Sequence, residues 1–243
     1  MTVEAGLCEL LPWDSDFFGV RVARVRGDLT RAQIARADDW CRQQHVSVAY
    51  LLLPVDRTPA IEVAEDLGFH CVDIRVVLAS SRDRVSAPAQ PSERVRPHQP
   101  SDTEALERIA LTAHRDSRFY ADPHFPRERC DALYATWIRR SCEAREITVL
   151  VADRDGDVAG YLTYRPDRGP ATSIIELVGV AEDHRGHGVG AAMVGAGLGA
   201  CLRSGAPRVE VATQGRNVGA QHLYQRAGMT TASVSIWLHK WYG

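Results

Sequence analysis

The stretch "EDHRGHGVGAAM" (182–193) sets glycines at positions 186, 188 and 190, behind Arg185 and directly before a small-residue run that reads as a helix. The β-rich run "SIIELVGV" precedes it, so the chain passes from a strand through a bare backbone turn into a helix. Without a Cβ, backbone N–H groups can close on a ligand, and the positive end of a helix dipole favours an anion there. Two readings remain open at this point. The turn binds a phosphate, with Arg185 adding charge, or the glycines permit close helix packing through the small face Gly190, Ala191, Gly195 and Gly199.

The rest of the chain alternates helical and β patterns. "SDTEALERIALTAHR" opens with Ser101 and Glu104 in capping-box spacing. "PRERCDALYATWIRRSCEAR" predicts a second helix with proline near its start. "EITVLVADRDGDVAGYLTYR" predicts a hairpin around Asp-Gly, "ATSIIELVGVA" a strand, and the glycine turn a helix that ends at Ser204-Gly205. Strand "RVEVAT", helix "NVGAQHLYQRAG" and strand "TTASVSIWLHKW" follow, so the class is mixed α/β. The polar segment from Ser80 to Asp102 carries four prolines, the composition of a linker. It predicts a first lobe over 1–83, a crossing segment over 84–98 and a second lobe over 99–243.

The two lobes share a pattern. Ala60 to Leu78 laid on Ala220 to Leu238 aligns a helix, Gly68 with Gly228, Phe69 with Met229, and a following strand, which reads as a degenerate internal repeat. Tyr224 of the second copy meets Ala64 of the first, and the first lobe has no arginine-glycine turn. Chemistry is therefore expected in the second lobe.

Two phosphate-binding folds compete for the turn. Gly186-x-Gly188-x-x-Ala191 with Glu210 fits the Rossmann fingerprint, but "AEDHR" separates Val180 from Gly186 where that fold runs its strand straight into the first glycine. The second fold fits more specifically. Arg185, Gly188 and Gly190 after "ELVGV", then Asn217, Ala220, Tyr224, Gly228 and Met229, resemble in order and spacing the acyl-CoA loop and following helix of the GNAT N-acyltransferases. The resemblance implies a GNAT fold, a mixed and mostly antiparallel sheet flanked by helices, preceded by a smaller, partial GNAT-like α/β lobe.

It also implies roles. Amides of Arg185, Gly186, His187, Gly188, Val189 and Gly190 hold the CoA pyrophosphate. Main-chain groups of the Val178, Gly179 and Val180 stretch pair with the pantetheine arm, Asn217 reaches the cofactor, and Tyr224 protonates the departing thiolate. A phenol near pKa ~10 is a suitable donor to a thiolate near ~8.5 within hydrogen-bond reach. The attacking amine must be neutral, and Glu176, on the same strand face as Val178 and Val180, is the carboxylate available as base; it could equally be an ion pair or a solvated strand end. Acetyl-CoA is the expected co-substrate, and no metal is required.

A narrower resemblance concerns the acceptor. "LPWDSDFFGV", a linker and "DSRFYADPHFPRERCDALYATWIRRS" look like the two-lobed GNAT branch of the TDP-fucosamine acetyltransferase type, whose acceptor is an amine on a nucleotide-linked deoxysugar. Arginine and aromatic side chains suit a diphosphate and a flat base, so Arg118, Phe119, Tyr120 and Phe125 are candidate substrate-binding residues, although Phe119 and Phe125 could simply pack. Trp13, Phe17 and Phe18 read as a core plug. Other acceptors in view are an antibiotic, another free amine or a protein amine; outside the enzyme class stands an acyl-CoA-binding regulatory module without turnover.

Composition removes several alternatives. A net charge of −2 gives no basic field for nucleic acid or an anionic membrane surface. Lys240 is the sole lysine, which leaves Schiff-base and P-loop chemistries without a partner. Six scattered cysteines show no zinc-type spacing, and no apolar run is long enough to span a bilayer. The expectation is a soluble, cytoplasmic protein with reduced thiols, and a homodimer by analogy with edge-strand pairing in this fold.

Overall fold

The computed structural model describes residues 6–26, 29–81, 94–154, 156–166 and 172–243. In chain order the first elements are β1 (Cys8–Leu10), α1 (Pro12–Phe18), β2 (Val22–Val25), α2 (Arg31–Gln43), β3 (Val48–Pro54), α3 (Thr58–Asp66) and β4 (His70–Ser81). Then come β5 (Arg94–Pro97), α4 (Thr103–Ala113), α5 (Arg118–Ala121), α6 (Arg127–Glu143), β6 (Thr148–Arg154) and β7 (Asp157–Arg165). The last are β8 (Thr172–Val180), α7 (Val189–Arg203), β9 (Arg208–Gln214), α8 (Val218–Arg226) and β10 (Thr230–Trp241). Of the segment expected to be a linker, residues 94–97 form a strand, and 84–93 lie outside the described residues.

The chain divides into two compact units: Met1–Arg75 with Arg118–Phe125 and Ser233–Gly243, and Val76–Ser117 with Pro126–Ala232. In unit 1 the strand order is β1-β2-β3-β10, with β2 and β3 parallel and the other pairs antiparallel. Its core gathers Ala23, Val25, Ile34, Cys41, Ala49, Leu51, Leu53, Val63, Phe69 and Leu238. In unit 2 the order is β9-β8-β7-β6-β5, with only β8 and β9 parallel. Leu162, Ile175, Val189, Met193, Val194, Leu198, Val209, Val211, Tyr224 and Met229 lie in its core. Each buried Leu, Ile or Met contributes about 1.5–3 kcal/mol.

The β6–β7 hairpin turns where expected. Gly156 has φ 91°, a conformation only glycine adopts readily, and its N–H donates to the Asp153 carboxylate at 3.2 Å. The capping box before α4 is not the expected pair Ser101 and Glu104. Asp102 takes that role: a 3₁₀ turn at Pro100–Asp102 precedes the helix, the Gln99 N–H donates to Asp102 at 2.7 Å, and Arg96 grips the same carboxylate at 2.7 and 2.9 Å. Glu104 instead accepts from Arg108 one turn on, at 2.7 Å.

The internal repeat is visible element by element. Strand, helix and strand of the second copy begin and end 160 positions after the first: 48–54 and 208–214, 58–66 and 218–226, 70–81 and 230–241. Gly68 and Gly228 share φ 85°, and the next amide in each copy donates back to residue 64 or 224, at 2.9 and 3.1 Å. His45 (φ 51°) occupies the left-handed position that Gly205 (φ 100°) fills in the second copy. Parallel pairing of β2 with β3 starts at Val22 and Val48, and that of β8 with β9 at Thr172 and Arg208. The offset is thus 150 positions on that strand and 160 beyond the helix, so unit 2 carries ten more residues between them.

Candidate active site

Those ten residues extend β8 and form the glycine turn. Pairing of β8 with β9 ends at Ile175 and Val211, so among the described residues Glu176 to Val180 have no strand beside them on that side. Opposite, β7 pairs Thr163 with Leu177 and Tyr164 with Ile175, which leaves Glu176 as the extra residue of a β-bulge. The buried Thr163 hydroxyl accepts from the Leu177 N–H at 3.1 Å, and the Ala181 N–H donates to the Ala159 carbonyl at 2.9 Å. Main-chain groups of 177 and 181 therefore face β7. By strand alternation those of Val178 and Val180 face away from it, into the gap where β9 has left. An extended ligand chain can pair there as a strand would.

The turn that follows leaves backbone amides open at a helix N-terminus. Gly186 (φ 78°) and Gly188 (φ 90°) sit in the left-handed region, where a side chain is strained by about 1–2 kcal/mol. Gly188 is the N-cap of the 15-residue α7 and supplies no side chain, so the first amides of the helix are left without a cap. In α2 the matching end is closed by the protein itself: the Thr30 hydroxyl accepts from the Gln33 N–H at 3.4 Å, and the Gln33 carboxamide accepts from the Thr30 N–H at 2.9 Å. Gly190 plays a different part. It lies inside α7, and a Cβ there would stand 3.3 Å from the Leu223 side chain, so it permits α7 and α8 to approach. Gly197, which the small-face reading did not name, is tighter still, 2.8 Å from Leu162.

Arg185 is half exposed; its Nε donates to the Val180 carbonyl at 3.2 Å, and Glu182 lies 3.8 Å away. His187 is exposed beside it. Asn217 is the N-cap of α8, its carboxamide oxygen accepting from the Ala220 N–H at 3.0 Å. Tyr224, one turn from the end of α8, is 5% exposed in the unit 2 core, and burial pushes its phenol well above the ordinary range. It is a neutral proton donor throughout the physiological range. Glu176 accepts from Arg165 Nε at 3.1 Å, so one of the two structural alternatives for it, the ion pair, is present.

Sequence reasoning passed over His114 and Tyr161. The Tyr161 ring covers Gly179, its partner across the sheet: a Cβ on residue 179 would be 2.6 Å from the ring. His114 at the end of α4 bonds the Tyr161 hydroxyl through Nε2 at 2.8 Å and stacks on Tyr134 at 4.4 Å. Burial, and then the charge of Arg185, lower the His114 pKa to about 4. A glycine opposite a tyrosine was the only trace of this in the sequence.

The candidate acceptor residues belong to unit 1. Phe119 and Phe125 are buried against Phe18 and Tyr50, so they pack. Phe18 is a core residue there, while Trp13 stacks on Phe17 at 5.1 Å. Arg118 lies over the rings of Tyr50, Phe119 and Trp237 at 4.2, 4.4 and 4.1 Å, and donates to His239 Nε2 at 2.8 Å. Tyr120 is half-buried in α5. Among the described residues no cluster of three or more His, Cys, Asp or Glu could hold a metal ion, and no helix is long and apolar enough to cross a membrane.

The family model described as Acetyltransferase (GNAT) family matches residues 107–229, just over half of the chain. The chain belongs to the GNAT family. A solved GCN5-related N-acetyltransferase from Kribbella flavida has the same fold over 100% of this chain and 90% of its own, with a TM-score of 0.70 at 18% identity. Among curated proteins, the spore coat polysaccharide biosynthesis protein SpsD of Bacillus subtilis is 29% identical over 60% of this chain and 50% of its own length. A mycothiol acetyltransferase from Sanguibacter keddieii is 34% identical over 36% of this chain and 29% of its own. The match thus spans half of SpsD, and less of the second relative. Within this GNAT chain, the segment matched by the family model contains β8, the glycine turn and Tyr224.

Proposed function

We propose that the protein transfers an acetyl group from acetyl-CoA to a primary amine of a small molecule, directly, within a ternary complex. The observation that carries this reading is the opening of β8 from β9 beside an uncapped α7, with Tyr224 on the adjoining helix. Residues 185–190 would hold the diphosphate on backbone amides and Arg185, and Val178 and Val180 would pair with the pantetheine arm. The amine attacks the thioester carbon, a C–N bond forms as the C–S bond breaks, and Tyr224 gives the leaving thiolate its proton. Asn217 would reach the cofactor with the part of its carboxamide that the α8 cap leaves over.

The acceptor we infer is an amino-deoxysugar carried on a nucleotide. The narrower sequence resemblance supports it, as does the likeness to SpsD, a protein named for polysaccharide biosynthesis. Phe119 and Phe125 are not part of this proposal, since both are core residues. Thiol release from acetyl-CoA is measured with a TDP-linked 4-amino-4,6-dideoxyhexose and with a panel of free amines and peptides. Release that depends on the sugar amine supports the reading. Release driven only by peptides or other amines overturns the acceptor class, and CoA binding without any amine-dependent release overturns the transferase reading.

A further inference from the structure

The mechanism above leaves one proton without a destination. The nitrogen that attacks must shed a proton, and the Glu176 carboxylate is engaged by Arg165. On the other side of the same strand stands a pair that the mechanism has not used. Tyr161 is fully buried, and its ring lies on Gly179, between the two residues whose main-chain groups face the cofactor gap. His114 is part-exposed and anchored to the Tyr161 hydroxyl by Nε2, with its ring stacked on Tyr134. With the proton on Nε2, that nitrogen donates to Tyr161 Oη, and Nδ1 keeps its lone pair. A buried hydroxyl holding one imidazole nitrogen and orienting the other is the arrangement a general base requires.

We propose that His114, anchored by Tyr161, takes the proton the attacking amine loses, and that CoA held at Arg185 strengthens it for that task. The proposal rests on the N-acetyltransferase reading. The amine nitrogen bonds to the carbonyl carbon, its proton passes to His114 Nδ1, and the imidazolium gives that proton to water once the product has left. The thiolate takes the Tyr224 proton, which water restores, so charge and protons balance over the cycle.

His114 meets Tyr161 from β7 and Tyr134 from α6, and α4 packs against the turn at 182–184 that leads into Arg185, whose charge bears on the imidazole. Burial pushes the Tyr161 phenol well up, so it stays neutral in the working range, and Arg185 is the charge that disfavours the imidazolium. A bound diphosphate cancels that charge. Burial, the larger cause of the depression, persists, so the imidazole stays unprotonated and ready to accept at neutral pH while its basicity rises.

The test has two readouts. In the first, the His114 imidazole of the wild-type protein is titrated by NMR with and without saturating CoA; an upward shift of about half a pH unit or more is expected. In the second, His114→Gln, Tyr161→Phe and Glu176→Gln are compared for CoA affinity and for the pH dependence of turnover with the best amine found. His114→Gln should keep CoA affinity, lower kcat by about 10²–10⁴ and lose the acid limb of the profile. Tyr161→Phe should move that limb, and Glu176→Gln should leave it in place. An imidazole indifferent to CoA, or a His114→Gln protein within about threefold of wild-type kcat, overturns the proposal. Wild-type protein that binds CoA and acetylates no amine overturns the functional reading instead, and the NMR titration still decides whether His114 senses the cofactor.

Discussion

At the residue scale, two buried groups carry predictions, Tyr224 for the proposed chemistry and His239 for acid stability. Tyr224 has its phenol held neutral by burial, so Tyr224→Phe keeps the packing and removes the proton. Turnover should fall by about 10²-fold or more with CoA affinity unchanged, measured as kcat against a CoA binding isotherm. His239 is governed by its partners. Arg118 can only donate, so His239 Nε2 must accept, and Nδ1–H donates to Asp122 at 2.7 Å. Protonating Nε2 would set two donors face to face. Its pKa is accordingly lowered to about 4 by burial, against the pull of Asp122, which itself stays ionised with bonds from His239, Trp241 and His124. With a folded pKa below the unfolded value near ~6.5, the stability this imidazole contributes is complete above ~6.5 and is lost as pH falls toward about 4. Thermal melts should therefore decline between those values by on the order of 3 kcal/mol from His239, and His239→Gln should flatten the decline.

At the element scale, two helices of matching position end differently at their N-termini. α2 closes on the Thr30 and Gln33 box, and α7 opens on Gly188. Thr30→Ala should lower stability in a denaturant melt by about 1 kcal/mol and leave CoA affinity untouched. Much of this was legible beforehand. The strand, turn and helix around 173–204, the Asp-Gly hairpin and the Gly68 and Gly228 corners rest on local chemistry, and local chemistry is what a sequence displays. The box formed at Gln99 and Asp102 in place of Ser101 and Glu104, and Arg96, six residues before Asp102, holds the same carboxylate, a contact outside the four-residue window of the motif. His114 escaped for a similar reason. Its partner Tyr161 is 47 positions away, and only strand register brings that ring onto Gly179. The aromatic segment at 118–125 left two readings open, since a run of rings looks the same whether it meets a ligand or a core; Phe119 and Phe125 are buried.

At the scale of the whole molecule, one supersecondary pattern occurs twice, and the open β8 with its glycine turn and Tyr224, the proposed cofactor site, once. Unit 1 retains the strand, helix and strand of the repeat, with Ala64 where unit 2 has Tyr224. It lacks the ten residues that extend β8 and make the glycine turn, and the helix end they would serve is already capped. A chain of this construction should bind one CoA, in unit 2. The measurement that tests this most directly is calorimetric titration of CoA into the wild-type protein and into a Gly186→Val, Gly188→Val variant that forces β-branched residues into left-handed backbone. The account predicts one site per chain, weakened about tenfold or more in the variant. Two sites per chain, or an affinity the double substitution leaves unchanged, would contradict it.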